Sequence, residues 1–131
     1  MPQPYRAAAF HLNSGRLDYA RKKYDDALIH LQKSDYRDIL DNMVTKILQM
    51  KIYYETDEMD LLQSHLKTVE MYIRRNKKIS YHYENWRNIL RYTQKIVEVN
   101  RFDKQAVQKL IDAIKNEGIL TEKEWLLSQL S

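Results

Sequence analysis

Apolar residues recur at helical spacing along almost the whole chain. Between Ile39 and Tyr54 they fall at Leu40, Met43, Val44, Ile47, Leu48, Met50, Ile52 and Tyr53. That stripe is too wide for one buried face and predicts a helix packed on two sides. Met59, Leu62, Leu66, Val69 and Ile73 alternate steps of three and four, the mark of a one-faced helix. Tyr83, Trp86, Leu90 and Val97 predict another, broadened by Ile89 and Ile96. Ala106, Val107, Leu110, Ile111, Ala113 and Ile114 carry a further one.

The joints between these stretches are short. Lys22-Lys23, Ser34 to Asp38, Thr56-Asp57, Asn76 to Ser80 and Asn100 to Asp103 read as connections. Connections of this length predict antiparallel neighbouring helices. The sequence Asn13-Ser14-Gly15 interrupts or weakens the first helix, since glycine inside a helix costs about 1 kcal/mol against alanine. Gly118 is placed to end a helix, and Thr121 with Glu124 has the spacing of a capping box opening a last short helix with Trp125 and Leu126.

A shift of 35 residues superposes Tyr24-Asp25 on Met59-Asp60, Ala27 on Leu62, His30 on His65 and Leu31 on Leu66. The same shift carries Arg16 onto Lys51 and Tyr19 onto Tyr54. Apolar coincidences are cheap in helical sequence, whereas polar matches at one offset across two helices are less so. The stretch KYDDALIHLQKS, with Tyr24, Ala27 and Leu31, resembles the turn and second helix of the tetratricopeptide repeat. Gly15 falls where that family's first helix carries a small residue that admits the second helix, and Ser34 where it has a small alanine. Tyr53 matches the aromatic near the end of the first helix in the next unit, but Met50, Leu62 and Val69 fill small-residue sites with larger groups. Phe102, Ala106, Leu110 and Ala113 echo the pattern more loosely, with an extra residue. The resemblance implies an all-α fold: a right-handed array of about six or seven antiparallel helices in one domain over 1–131. Its units would cover roughly 4–36, 38–78 and 80–116, with a capping helix at 121–130. Large residues at the helix contacts predict an irregular superhelix.

Composition agrees with a helical chain. In 131 residues there are two glycines and two prolines, Pro2 and Pro4, too few for the turns of an all-β fold. Cysteine is absent, which removes disulfides, thiol nucleophiles and cysteine-based zinc sites but leaves the compartment open. No apolar run reaches membrane-spanning length, and the start lacks the pattern of a signal peptide. Helical sequence begins almost immediately after Met1, as in a piece excised from a longer chain. A net charge of +4 from 22 basic and 18 acidic residues describes a mixed, solvated surface with a mild preference for acidic partners.

The sequence offers little catalytic chemistry. Two glycines 103 positions apart make no phosphate loop, and His11, His30, His65 and His82 are scattered. His30 and His65 hold equivalent repeat positions, which suits helix-lining residues better than metal ligands. The acid pairs Asp25-Asp26, Asp57-Glu58 and Glu122-Glu124 sit at helix N-termini, where the dipole favours them. No cofactor and no enzyme activity are expected. The cluster Arg74, Arg75, Lys77 and Lys78 ends a helix, where cations favour the free carbonyls; as an anion patch it supports an alternative, a nucleic-acid-binding domain. Arg87, Arg91 and Lys95 form a basic stripe beside Tyr92. By resemblance, the first helix of each unit lines a concave groove, so Arg16, Tyr19, Lys51, Tyr54, Arg91 and Lys95 are expected to face a bound peptide or partner helix. Cations beside phenols suit an acidic or C-terminal peptide. The competing expectation is that Tyr19 and Tyr54 are inter-helix packing residues. A third role is self-assembly, or assembly of a larger protein, through the Trp86 or Trp125 surfaces.

Overall fold

The computed structural model of the chain describes residues 3–34, 39–76 and 80–131, and within them every regular element is a helix. In order these are α1 (Gln3–Ala20), α2 (Tyr24–Gln32), α3 (Ile39–Glu55), α4 (Met59–Arg75), α5 (Ser80–Glu98), α6 (Lys104–Asn116) and α7 (Lys123–Ser128). The chain forms two compact units, Met1–Val69 and Glu70–Ser131.

In the first unit several structural features recur at the 35-residue offset. α1 ends with Lys22 N–H donating to Tyr19 O (2.9 Å) and Lys23 N–H to Asp18 O (2.7 Å). This is a Schellman closure, and it places Lys22 in the left-handed region at φ 60°. α3 ends identically: Asp57 N–H donates to Tyr54 O (3.1 Å) and Glu58 N–H to Tyr53 O (2.9 Å), with Asp57 at φ 59°. The helices that follow show the same burial class at every position from the pair 24/59 to the pair 34/69. Their buried residues are Ala27, Leu31 and Ser34 on α2 and Leu62, Leu66 and Val69 on α4. Side-chain contacts repeat too. His30 touches residues 11 and 18, and His65 touches their equivalents 46 and 53.

Packing explains why small residues stand where they do. α1 lies so close to α2 that a Cβ on Gly15 would stand 2.9 Å from Leu31 Cγ and Cδ2 and 3.4 Å from the Ala27 carbonyl. The helix is not interrupted at Asn13-Ser14-Gly15 but runs through from Gln3 to Ala20. Tertiary contact with α2 offsets the low helix propensity of glycine. Ala8, Leu12, Ala27 and Leu31 form a core with Leu48 and Ile52 of α3, walled by Tyr19, Tyr24 and Leu28. Ser34 is buried with its hydroxyl satisfied: it donates to Leu31 O at 2.8 Å and meets Thr45 Oγ1 at 3.2 Å. α3 is buried on two sides, as its wide stripe requires, through Thr45, Leu48 and Ile52 on one and Met43 and Met50 on the other.

The second unit follows other rules. α5 packs on α6 and α7, and its most buried residues are Ile89, Thr93 and Ile96, with Leu90 and Val97 only half-buried. The buried stripe is therefore rotated from the one that Tyr83, Leu90 and Val97 predict. Thr93 enters it because its hydroxyl donates to Ile89 O at 2.8 Å. The α5–α6 turn lacks a left-handed residue; Asp103 caps α6 by accepting from Ala106 N–H at 3.1 Å. The capping box at Thr121 and Glu124 does not form. α7 starts after Glu122 with no side-chain cap, because Asn85 takes both Thr121 groups, its Oδ1 accepting from the backbone N–H (2.9 Å) and its Nδ2 donating to Oγ1 (3.0 Å). Gly118 does follow the end of α6, but without a positive φ, since Glu117 leaves the helix in extended conformation.

Candidate interaction surface

The closing turns of α1 and α3 set Arg16 beside Tyr19, and Lys51 beside Tyr54, at matching positions of the two repeats. Arg16 is exposed, and Lys51 and Tyr54 are half-buried. Tyr19 is committed to the fold. Its hydroxyl donates to Glu55 Oε2 at 2.5 Å while Tyr24 donates to Glu55 Oε1 at 3.2 Å, and the two rings meet edge to face at 6.2 Å. One carboxylate on α3 thus ties together the ends of the turn between α1 and α2. Burial raises the Tyr24 hydroxyl above its ordinary pKa, and the Glu55 charge and hydrogen bond add to that shift. Glu55 was not foreseen, because an acid at a helix end reads as solvated and its phenols lie 31 and 36 residues away.

Arg91 and Lys95 belong to the second unit and share one ring. The Arg91 guanidinium lies 4.7 Å and the Lys95 ammonium 5.5 Å from the Tyr92 centroid. Arg91 also donates to Glu117 Oε2 (3.1 Å) and to Asn88 Oδ1 (3.2 Å), and Tyr92 donates to the same Glu117 oxygen at 2.8 Å. The Tyr92 hydroxyl is pushed up by burial first, then by Glu117, with Arg91 opposing. An incoming carboxylate would compete with Glu117 for Arg91. Lys95 lines a shallow groove between α5 and α6 together with Glu98, Val99, Ala106, Lys109, Leu110 and Ala113. That groove follows from α6 turning small residues toward α5, a pattern the sequence shows only as a weak repeat echo.

The alternative anion patch is partly neutralised. Arg74 donates to Glu70 Oε1 at 2.8 Å, an i, i+4 pair on the α4 surface, and Arg75 is exposed. Lys77 and Lys78 lie outside the described residues.

The histidines form pairwise contacts. His11 and His30 meet Nδ1 to Nδ1 at 3.0 Å, so that one ring donates to the other, and Asp18 stands 3.9 Å from His30 Nε2. His11 is held below the usual histidine pKa by burial, then by His30 and Lys33. His65 Nε2–H donates to Lys46 O at 2.7 Å. Burial lowers its pKa, the carbonyl bond opposes this, and the Lys46 charge adds to the lowering. Among the described residues no group of three or more potential ligands gathers to hold a metal, and no helix is long and apolar enough to cross a membrane.

No family model, curated protein or solved structure matches the chain.

Proposed function

We propose that the chain is a tetratricopeptide-like helical repeat module that works without catalysis, as a scaffold that binds a peptide or partner helix. The observation that carries this reading is the 35-residue repeat of turn geometry, burial and histidine contacts in the first unit. Gly15 under Leu31 supports it as well, because close approach of paired helices is what a small residue at that position serves. Such a repeat presents equivalent side chains side by side, and here they are Arg16 and Lys51 with Tyr54. Tyr19 forms a fixed wall of the surface through Glu55. The charges favour an acidic or C-terminal peptide held by charge-assisted hydrogen bonds. Arg91 and Lys95 form a second basic contact on Glu70–Ser131, where ligand exchange with Glu117 would tune affinity.

The test is binding of the full chain to an array of acidic peptides, compared with the double variant Arg16→Glu, Lys51→Glu. Loss of binding with helicity and melting temperature unchanged is expected. Equal binding by the variant would remove this surface from the account.

A further inference from the structure

The repeat in the first unit reveals an uncovered interface. When α1 is laid on α3 at the 35-residue offset, their burial differs in one pattern above all. Phe10, Asn13 and Leu17 are exposed, whereas their equivalents Thr45, Leu48 and Ile52 are buried. Steps of three and four make these positions one stripe on a helix. On α3 that stripe is the seam with the preceding helix pair: Leu48 and Ile52 sit in the core with Ala8, Leu12, Ala27 and Leu31, and Thr45 meets Ser34. On α1 the same stripe leaves Leu17 49 % exposed, and Phe10 61 % exposed although its ring meets His11 (5.2 Å) and His30 (5.9 Å) edge to face, against 8 % for Leu48 and 0 % for Ile52.

We propose that the Phe10–Asn13–Leu17 face of α1 is a docking site for an amphipathic helix of the α2 type, seated on α1 as α2 is seated on α3. The internal seam specifies the occupant. It presents a small residue, a leucine four positions on and a second small residue three beyond that, as Ala27, Leu31 and Ser34 do. Phe10 replaces Thr45, so the position of Ser34 is taken by glycine or alanine, with no hydroxyl left unpaired against a ring. Asn13 replaces Leu48, which calls for a hydrogen-bonding side chain opposite it. Arg6 and Arg21, both exposed, stand toward the two ends of the stripe, and acidic residues at the ends of the incoming helix complement them. Arg16 borders this face on α1, whereas Lys51 lies on α3, so a variant at Lys51 alone tells the two readings apart.

The probe is a helix-stapled peptide of residues 24–34 carrying Ser34→Gly, which displays the α2 seam. It is titrated against the full chain and read by fluorescence anisotropy. Saturable binding is expected, weakened about tenfold or more by Leu17→Glu and unchanged by Lys51→Glu. Leu17 is half exposed, so Leu17→Glu is expected to leave the melting temperature unaltered, which circular dichroism checks. Absence of saturable binding up to about 1 mM peptide, or equal binding by Leu17→Glu, overturns the proposal. Concentration-dependent self-association that Leu17→Glu abolishes also overturns it, by assigning the face to a second copy of the chain.

Discussion

Helices α1 and α3 correspond at the 35-residue offset, end in the same hydrogen-bonded turn and contact the following helix through the same positions. They differ in what stands before them. α3 has a helix pair against its Thr45–Leu48–Ile52 stripe, whereas on α1 Asn13 and Leu17 are exposed and Phe10 is covered only in part, by His11 and His30. Similar apolar residues therefore carry different free energies at equivalent positions. Where helix pairs stack, stability comes from intrinsic terms plus neighbour interfaces, and of the two stripes only that of α3 is filled among the described residues.

Truncation at paired positions measures that difference most sharply. Ile52→Ala is expected to cost about 3 kcal/mol, the usual penalty for emptying a filled core site. Leu17→Ala, at the equivalent place on α1, is expected to change stability by less than about 0.5 kcal/mol. Equal losses in chemical denaturation would break the comparison. Next in size is the exchange of the small residue between repeats. Gly15→Met installs the side chain that α3 carries as Met50, and the contact with Leu31 makes it costly, by about 2–3 kcal/mol. A neutral result would mean that α1 and α2 are not held at close approach.

A gain is expected at the turns. Lys22 and Asp57 both occupy the left-handed region, which disfavours residues with a Cβ. Lys22→Gly is expected to stabilise by roughly 0.5–1 kcal/mol, and Asp57→Gly by less, because aspartate tolerates this conformation better. A loss at Lys22→Gly in thermal melts would contradict the shared turn. The smallest effect is pH dependence. The folded pKa values of His11 and His65 lie below the ordinary 6.5. Above that value both states are neutral and stability is complete. As pH falls below it, the unfolded chain takes up protons that the folded chain resists, and stability declines until the folded pKa is passed. His65→Gln is expected to flatten the decline between about pH 7 and pH 5; an unchanged slope would remove His65 as a contributor.

Much of the scaffold was legible from spacing alone. Short joints and helical periodicity placed the helices, and the polar match of His30 with His65 exposed the offset that the turns then reproduce. The role of Gly15 was legible because its position in the resemblance demands close approach. Long-range polar ties were not. Glu55 with Tyr19 and Tyr24, Glu117 with Arg91 and Tyr92, and Asn85 with Thr121 join residues 25 to 36 positions apart, and no local pattern marks them. The Asn85 tie also explains why a well-spaced capping box failed: a tertiary partner claimed its threonine. Periodicity reveals that Phe10, Leu17 and Ile52 are apolar and in phase, but not which of them has a neighbour to cover it.

The most direct test of the repeat account exploits the absence of cysteine from the sequence. Single cysteines are introduced as Leu17→Cys and Ile52→Cys in separate chains, and their reaction with an aromatic disulfide reagent is followed under native conditions. Position 17 is expected to react at the rate of an open thiol, and position 52 only through transient opening, slower by orders of magnitude. Comparable rates at the two positions would contradict the claim that one repeat seam is filled and its equivalent is open.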